Sequence, residues 1–166
     1  MSHRFTPRLA VAALALMGAG VVHGQTVSAV TNPNNWTFSN AGQIAVPGMT
    51  SASFFNAAGR RFIVTFAAEC AVDAPAGNTI AWTDVDIVVL RPNDTTAATL
   101  APTNGSGDAF CAANGTAGYD GWESNSITAV GGTNLPAGTY RILVRARLNG
   151  GATGGWFGER ALVVAR

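Results

Sequence analysis

Beyond residue 24 the chain has no histidine, and it has no lysine anywhere. Both histidines, His3 and His23, fall in the first 24 residues. The remainder therefore lacks the imidazole on which Ser-His-Asp and Cys-His catalysis depend. It also lacks a common nitrogen ligand of zinc sites and the usual general base near neutral pH. Cysteine is nearly as scarce, with Cys70 and Cys111 alone, so no Cys-x-x-Cys metal or redox motif can form. Charge is sparse too: Asp, Glu, Lys and Arg make up 11% of the residues. After residue 24, eight Arg face nine Asp plus Glu, a formal charge of −1. That balance leaves no electrostatic footprint for nucleic acid or an anionic membrane. There is no phosphate-cradling glycine loop, no H-E-x-x-H and no G-x-S-x-G, and past residue 24 no stretch keeps a helical period.

Residues 1–24 read as a secretory signal peptide. Arg4 and Arg8 form a short basic region, residues 9–17 an apolar one, and Val22-His23-Gly24 a small-residue exit, with cleavage expected before Gln25. The apolar run is short and no stop-transfer segment follows it, which predicts removal rather than a retained membrane span. Removal leaves 142 of the 166 residues, enough for one domain burying about two thirds of its unfolded surface. In the oxidising compartment this implies, Cys70 and Cys111 are expected to form a disulfide.

The clearest strand is 135–148, where a Pro-Ala-Gly turn leads into strict alternation. Tyr140, Ile142, Val144, Ala146 and Leu148 share one face, and Arg141, Arg145 and Arg147 share the other. Residues 61–72 form a second strand, with Phe62, Val64, Phe66 and Ala68 on one face. Ile63 and Ala67 are apolar on the other, which predicts a central strand covered on both sides. Residues 80–90 form a third, with Val85, Ile87 and Val89 inward and Trp82, Asp84 and Asp86 opposite. Shorter strands are expected at 36–39, at 43–46 where Pro47-Gly48 stops the run, at 51–56, at 126–130 and at 156–165. Residues 25–35 read as a flexible lead-in, and 93–125 as a long loop rich in Thr, Gly and Asn, pinned by Cys111. Short strands separated by Gly and Pro turns predict an all-β antiparallel sandwich or closed barrel over 36–166.

Two constellations could carry chemistry. Asp84 and Asp86, if neighbours of the 135–148 strand, form a cross-strand charge ladder with its arginines. Weaker readings make them oxygen ligands for Ca²⁺, or make the arginines a grip for an acidic partner. The second constellation gathers Asp108, Phe110, Tyr119, Asp120, Trp122 and Glu123. Aromatic rings beside carboxylates suit a sugar, because rings stack on its apolar face while polar groups fix its hydroxyls. The plain alternative has Phe110 and Trp122 filling the core. Asp108, Tyr119, Asp120, Trp122 and Glu123 are the candidate ligand-binding residues; no catalytic residue, metal or cofactor is expected.

Gly59-x-x-Phe62-x-Val64-x-Phe66-x-Ala68, then Leu135-x-x-Gly138-x-Tyr140 and the closing Trp156-Phe157-Gly158-x-x-Ala161-Leu162, resemble strands of the jelly-roll domains of the complement globular-head and tumour-necrosis-factor family. The resemblance implies a jelly roll of ten strands that often trimerises and binds partners through loops. The chain lacks the collagen-like stalk of that family, and its Cys pair and long Asn/Thr loop depart from the pattern. The expectation is a secreted or periplasmic, non-enzymatic jelly-roll module for extracellular interaction, adhesion or assembly, with a protein or glycan partner. The alternative is a carbohydrate-binding module, and a carboxylate-based glycan hydrolase ranks third.

Overall fold

The computed structural model describes residues 25–39, 41–103 and 109–166, and nothing is described of the Asp120 side chain. The expected leader at 1–24 and the candidate residue Asp108 lie outside the described residues. Eleven strands occur among the described residues: β1 (Thr26–Asn32), β2 (Trp36–Phe38), β3 (Ile44–Thr50), β4 (Phe54–Asn56), β5 (Phe62–Ala74), β6 (Trp82–Leu90), β7 (Thr96–Thr99), β8 (Ala109–Ala112), β9 (Gly118–Gly131), β10 (Gly138–Asn149) and β11 (Gly154–Ala165). All their pairings are antiparallel. Among the described residues no helix is long and apolar enough to cross a membrane.

The strand order identifies the fold. β1 and β2 both pair with β11, β3 and β4 with β10, and β7 and β8 with β6. The two members of each couple pair with different stretches of one partner strand, so the eleven strands reduce to eight positions in two sheets. One sheet runs β1/β2–β11–β5–β9, the other β3/β4–β10–β6–β7/β8. In the reduced numbering these orders are 1-8-3-6 and 2-7-4-5, with successive strands passing between sheets except 4 and 5, which are neighbours in the second, and this is a jelly roll.

Period-two alternation drives this packing. On β10, Tyr140, Ile142, Val144, Ala146 and Leu148 are buried while the intervening residues are exposed or half-buried. They meet Val64, Phe66, Leu162 and Val164 from the opposite sheet in one continuous core. Phe66, Phe110 and Phe157 form the aromatic centre, with ring centroids 5.3 to 5.9 Å apart. Beside them Cys70 on β5 and Cys111 on β8 form the expected disulfide, with Cα atoms 6.2 Å apart, tying one sheet to the other.

Several local expectations are corrected. Residues 25–35 are not a flexible lead-in: β1 zips onto β11 from Thr26↔Ala165 to Asn32↔Arg160. Its polar sequence suits an edge strand, which needs only one apolar face. Pro47-Gly48 does not stop β3, because β3 is an edge strand whose pairing with β10 shifts register there. Gly48 adopts φ of 75°, and an edge bulge tolerates a missing N–H. Residues 93–125 are not one long loop: they supply β7, β8 and the first half of β9, about half of the stretch. The small polar residues of β9 hide its period, and its pairing is set by β5 alongside. Strand β5 is central as expected, between β11 and β9. It is not covered on both sides, however: Ile63 is exposed and Thr65 and Ala67 are half-buried, leaving the outer face of this sheet open.

The disulfide closes a loop with a sequence separation of 41, and on the chain-entropy model such a loop contributes about 4 kcal/mol. Replacing both Cys70 and Cys111 by Ser should lower the urea unfolding free energy by about that amount. The reduced wild-type chain should unfold at the variant's midpoint, and a variant as stable as the oxidised protein would refute this account.

Candidate functional site

The open face of the β1–β11–β5–β9 sheet carries exposed aromatic rings beside a groove. Antiparallel partners share a face, so the pairings place side chains in rows across the strands. Tyr119, Asp73 and Gly154 form one row. Trp156, opposite Ala71, occupies the next. Glu69 with Ser124 follows, then Ser126, Ala67, Ala161 and Thr31.

Trp122 joins the second row because of a bulge. Residues 119 and 122 would point to opposite faces of a regular strand, but the β5–β9 register shifts between Cys70 and Val72. Gly121, at φ of 63°, supplies the left-handed residue that the shift needs. Trp122 lies against Trp156, with ring centroids 4.2 Å apart and planes inclined at 56°. Trp156 is buried, whereas Trp122 is 63% exposed. Tyr119 is 40% exposed, and partial burial, then the charge of Asp73, raises its phenol above the ordinary value. Its hydroxyl therefore stays protonated, a neutral donor, at physiological pH.

Next to this aromatic pair is a groove of about 650 Å³ spanning all four strands, lined by Ser124 and Ser126 from β9, Glu69 from β5, Glu159 from β11 and Thr31 from β1. Its wall includes Arg160, which is 4% exposed. The Arg160 guanidinium donates to the main-chain carbonyls of Asn34 (2.6 Å), Gly158 (2.8 Å) and Pro47 (3.2 Å). Burial lowers its pKa. The side chain thus ties the β11 bulge to the β1–β2 turn and to β3, and its donors face into the protein.

Of the candidate residues, the structure unites Tyr119 and Trp122. Asp120 occupies the strand position opposite Val72. Glu123 is opposite Cys70, and its Oε2 accepts from Asn125 Nδ2 at 2.8 Å. Asn125 also donates to Phe110 O at 2.7 Å, so Glu123 braces the β8–β9 contact rather than the aromatic pair. Phe110 fills the core, as the plain alternative held, and Trp122 does not. The sequence reading missed Trp156, Glu69 and Glu159. Glu69 had a signal: it is the one charge in the run from Phe62 to Val72, where Thr65 is the only other polar side chain apart from Cys70.

The carboxylates of β6 are a separate cluster on the other sheet. The expected ladder forms, with Arg147 opposite Asp84 and Arg145 opposite Asp86. It is not on a wet face, because Asp84 is 1% and Asp86 4% exposed. Arg147 Nε donates to Asp84 Oδ2 at 2.8 Å, and Gln43 Nε2 donates to Asp86 Oδ2. The long side chains of β10 and Gln43 lie over the short carboxylates and exclude water, an arrangement that stabilises buried charge only through its partners. Among the described residues no three His, Cys, Asp or Glu side chains cluster as metal ligands.

Burial, then the charge of Asp84, raises the Asp86 pKa above its ordinary 3.8, against the lowering influence of Arg147, Arg145 and Gln43. The folded chain holds this proton more tightly than the unfolded chain. The associated stability is full below the ordinary value and is lost as pH rises through the raised one. Asp86→Asn keeps an acceptor for Gln43 and removes the charge. Its stability relative to wild type should therefore grow as pH rises from the acid range to neutrality, measured as urea midpoints across a pH series. A constant difference would refute the assignment.

Neither a protein-family model nor a curated protein matches the chain.

Proposed function

We propose that this chain is an exported, non-enzymatic binding module that engages an extracellular ligand through the open face of its β1–β11–β5–β9 sheet. The observation that carries this reading is Trp122: a large ring left 63% exposed, yet held in place by Trp156 beneath it. An exposed indole is ordinarily a liability for a free protein, and a rigid one loses little conformational freedom when a ligand covers it. Export is supported by the leader-like character of residues 1–24 and by the disulfide. The non-enzymatic reading rests on the missing imidazole after residue 24, on two thiols consumed in a bridge, and on the ion-paired Asp84.

A second reading, self-assembly, is favoured by a different patch. Ile63 and Val130 face each other across β5 and β9, 48% and 51% exposed. Together with the resemblance to complement globular heads and tumour-necrosis-factor domains, this pair makes a homotrimer the assembly to test. Light scattering distinguishes the readings, since a trimer that Val130→Asp converts to monomer would support assembly there.

The primary reading predicts that Trp122→Ala weakens attachment of the labelled protein to cells of the organism that makes it by about tenfold or more, the loss typical of a central aromatic contact. Because Trp122 is a surface residue, its urea midpoint should stay within about 0.5 kcal/mol of wild type. Unchanged attachment would overturn the assignment of this face.

A further inference from the structure

We infer that the groove beside Trp122 takes an internal stretch of a neutral polysaccharide chain, with one sugar ring stacked on Trp122 and the following ones lying across β5 and β11 toward β1. The inference rests on the proposed binding role of this face and specifies its ligand.

Shape is the first argument. The lining residues come from all four strands in succession, and at about 4.8 Å between neighbouring strands the floor extends about 14 Å. The floor is shallow because the rows contain Ala67, Ala161, Ser124 and Ser126, whose short side chains keep a ligand close to the sheet. Such a channel suits a linear chain passing over it better than a compact molecule held in a closed cavity.

The polar groups supply the second argument. Glu69 and Glu159 line the groove, and their carboxylates make no ion pair or hydrogen bond among the described residues. An ionised carboxylate is an acceptor only, so two of them beside the Ser124, Ser126 and Thr31 hydroxyls call for a ligand rich in hydroxyl donors. The same charges repel uronic acids, sulfates and phosphates. Arg160, the cation in the wall, spends its guanidinium on the carbonyls of Asn34, Pro47 and Gly158 and offers no anion site. A second copy of this chain, placed face to face, would set Glu69 and Glu159 against their own counterparts.

Continuity between the ring and the groove is the third argument. Gly158 separates them: a Cβ there would lie 2.7 Å from Glu69 Oε2 and closer still to the Trp156 ring. Trp156, the ring against which Trp122 packs, and the first carboxylate therefore border one spot, so a sugar stacked on Trp122 through its apolar face lies on the side of the groove where Glu69 can accept its hydroxyls.

The test is titration of the intact protein, followed by tryptophan fluorescence, with cellohexaose, laminarihexaose, mannohexaose and N-acetyl-chitohexaose, and with hexagalacturonate as the anionic counterpart. At least one neutral hexasaccharide should bind, and hexagalacturonate should not. Trp122→Ala should weaken binding by about tenfold or more, Glu69→Ala should weaken it severalfold, and Phe55→Ala, at an exposed position of β4 in the other sheet, should leave it unchanged. Binding of none of the neutral sugars, or equal binding of hexagalacturonate, overturns the inference. If cell attachment depends on Trp122 but is insensitive to every neutral sugar and disappears when the cells are treated with protease, the ligand assigned here is wrong while the binding face stands. If attachment does not depend on Trp122 at all, both fall.

Discussion

The contact between the two inner sheet faces, where Phe66, Phe110 and Phe157 meet beside the Cys70–Cys111 bridge, is what the remaining structure depends on. Apolar area removed from water is the dominant favourable contribution in a domain of this size. Each long strand satisfies it by directing every second residue inward. Once those residues are committed, the alternate residues of β1, β11, β5 and β9 must face outward, and among the described residues no third layer of structure packs over this sheet. The open face is thus a consequence of the core, and its row order follows from the strand order of the jelly roll.

Departures from regular pairing then convert a plain sheet surface into one with chemical character. At Gly121 the bulge turns Trp122 to the same side as Tyr119 and seats it on Trp156. In β11 the register shifts between Phe157 and Arg160, at the wall of the groove where Glu159 stands. Arg160, buried at the same irregularity, donates to carbonyls of the β1–β2 turn, of β3 and of β11 itself. Bulges at such positions re-aim side chains without disturbing the core beneath. In this protein two of them, on strands separated by β5, border one groove.

Charge is handled differently on the two outer faces. On the β10–β6 sheet the acids are matched in register with arginines, covered, and bonded, so their part is structural. On the opposite sheet Glu69 and Glu159 are left to solvent beside hydroxyls and rings. Engaged acids on one side and unengaged acids on the other separate scaffold from candidate site more clearly than composition does, since both sets are ordinary carboxylates on strands.

Alternation along 61–72, 80–90 and 135–148 was enough by itself to establish strands, the residues that face the core and an all-β fold, because period-two burial is a local property of an extended chain. That the sheets form a sandwich and not a closed barrel was decided by the pairing. The absence of histidine after residue 24 and the single cysteine pair were equally legible, and they narrowed the chemistry before any fold was known. Tertiary pairing alone decided that Asp84 and Asp86 are buried, since Gln43 and Arg147 approach them from distant parts of the chain. It also decided that the Thr- and Asn-rich stretch before residue 126 contributes β7, β8 and the start of β9, that Tyr119 and Trp122 share a side, and that Glu69, Glu159 and Thr31 line one groove. Each of these depends on which strand lies beside which and in what register, and a single chain read in order carries no record of its neighbours.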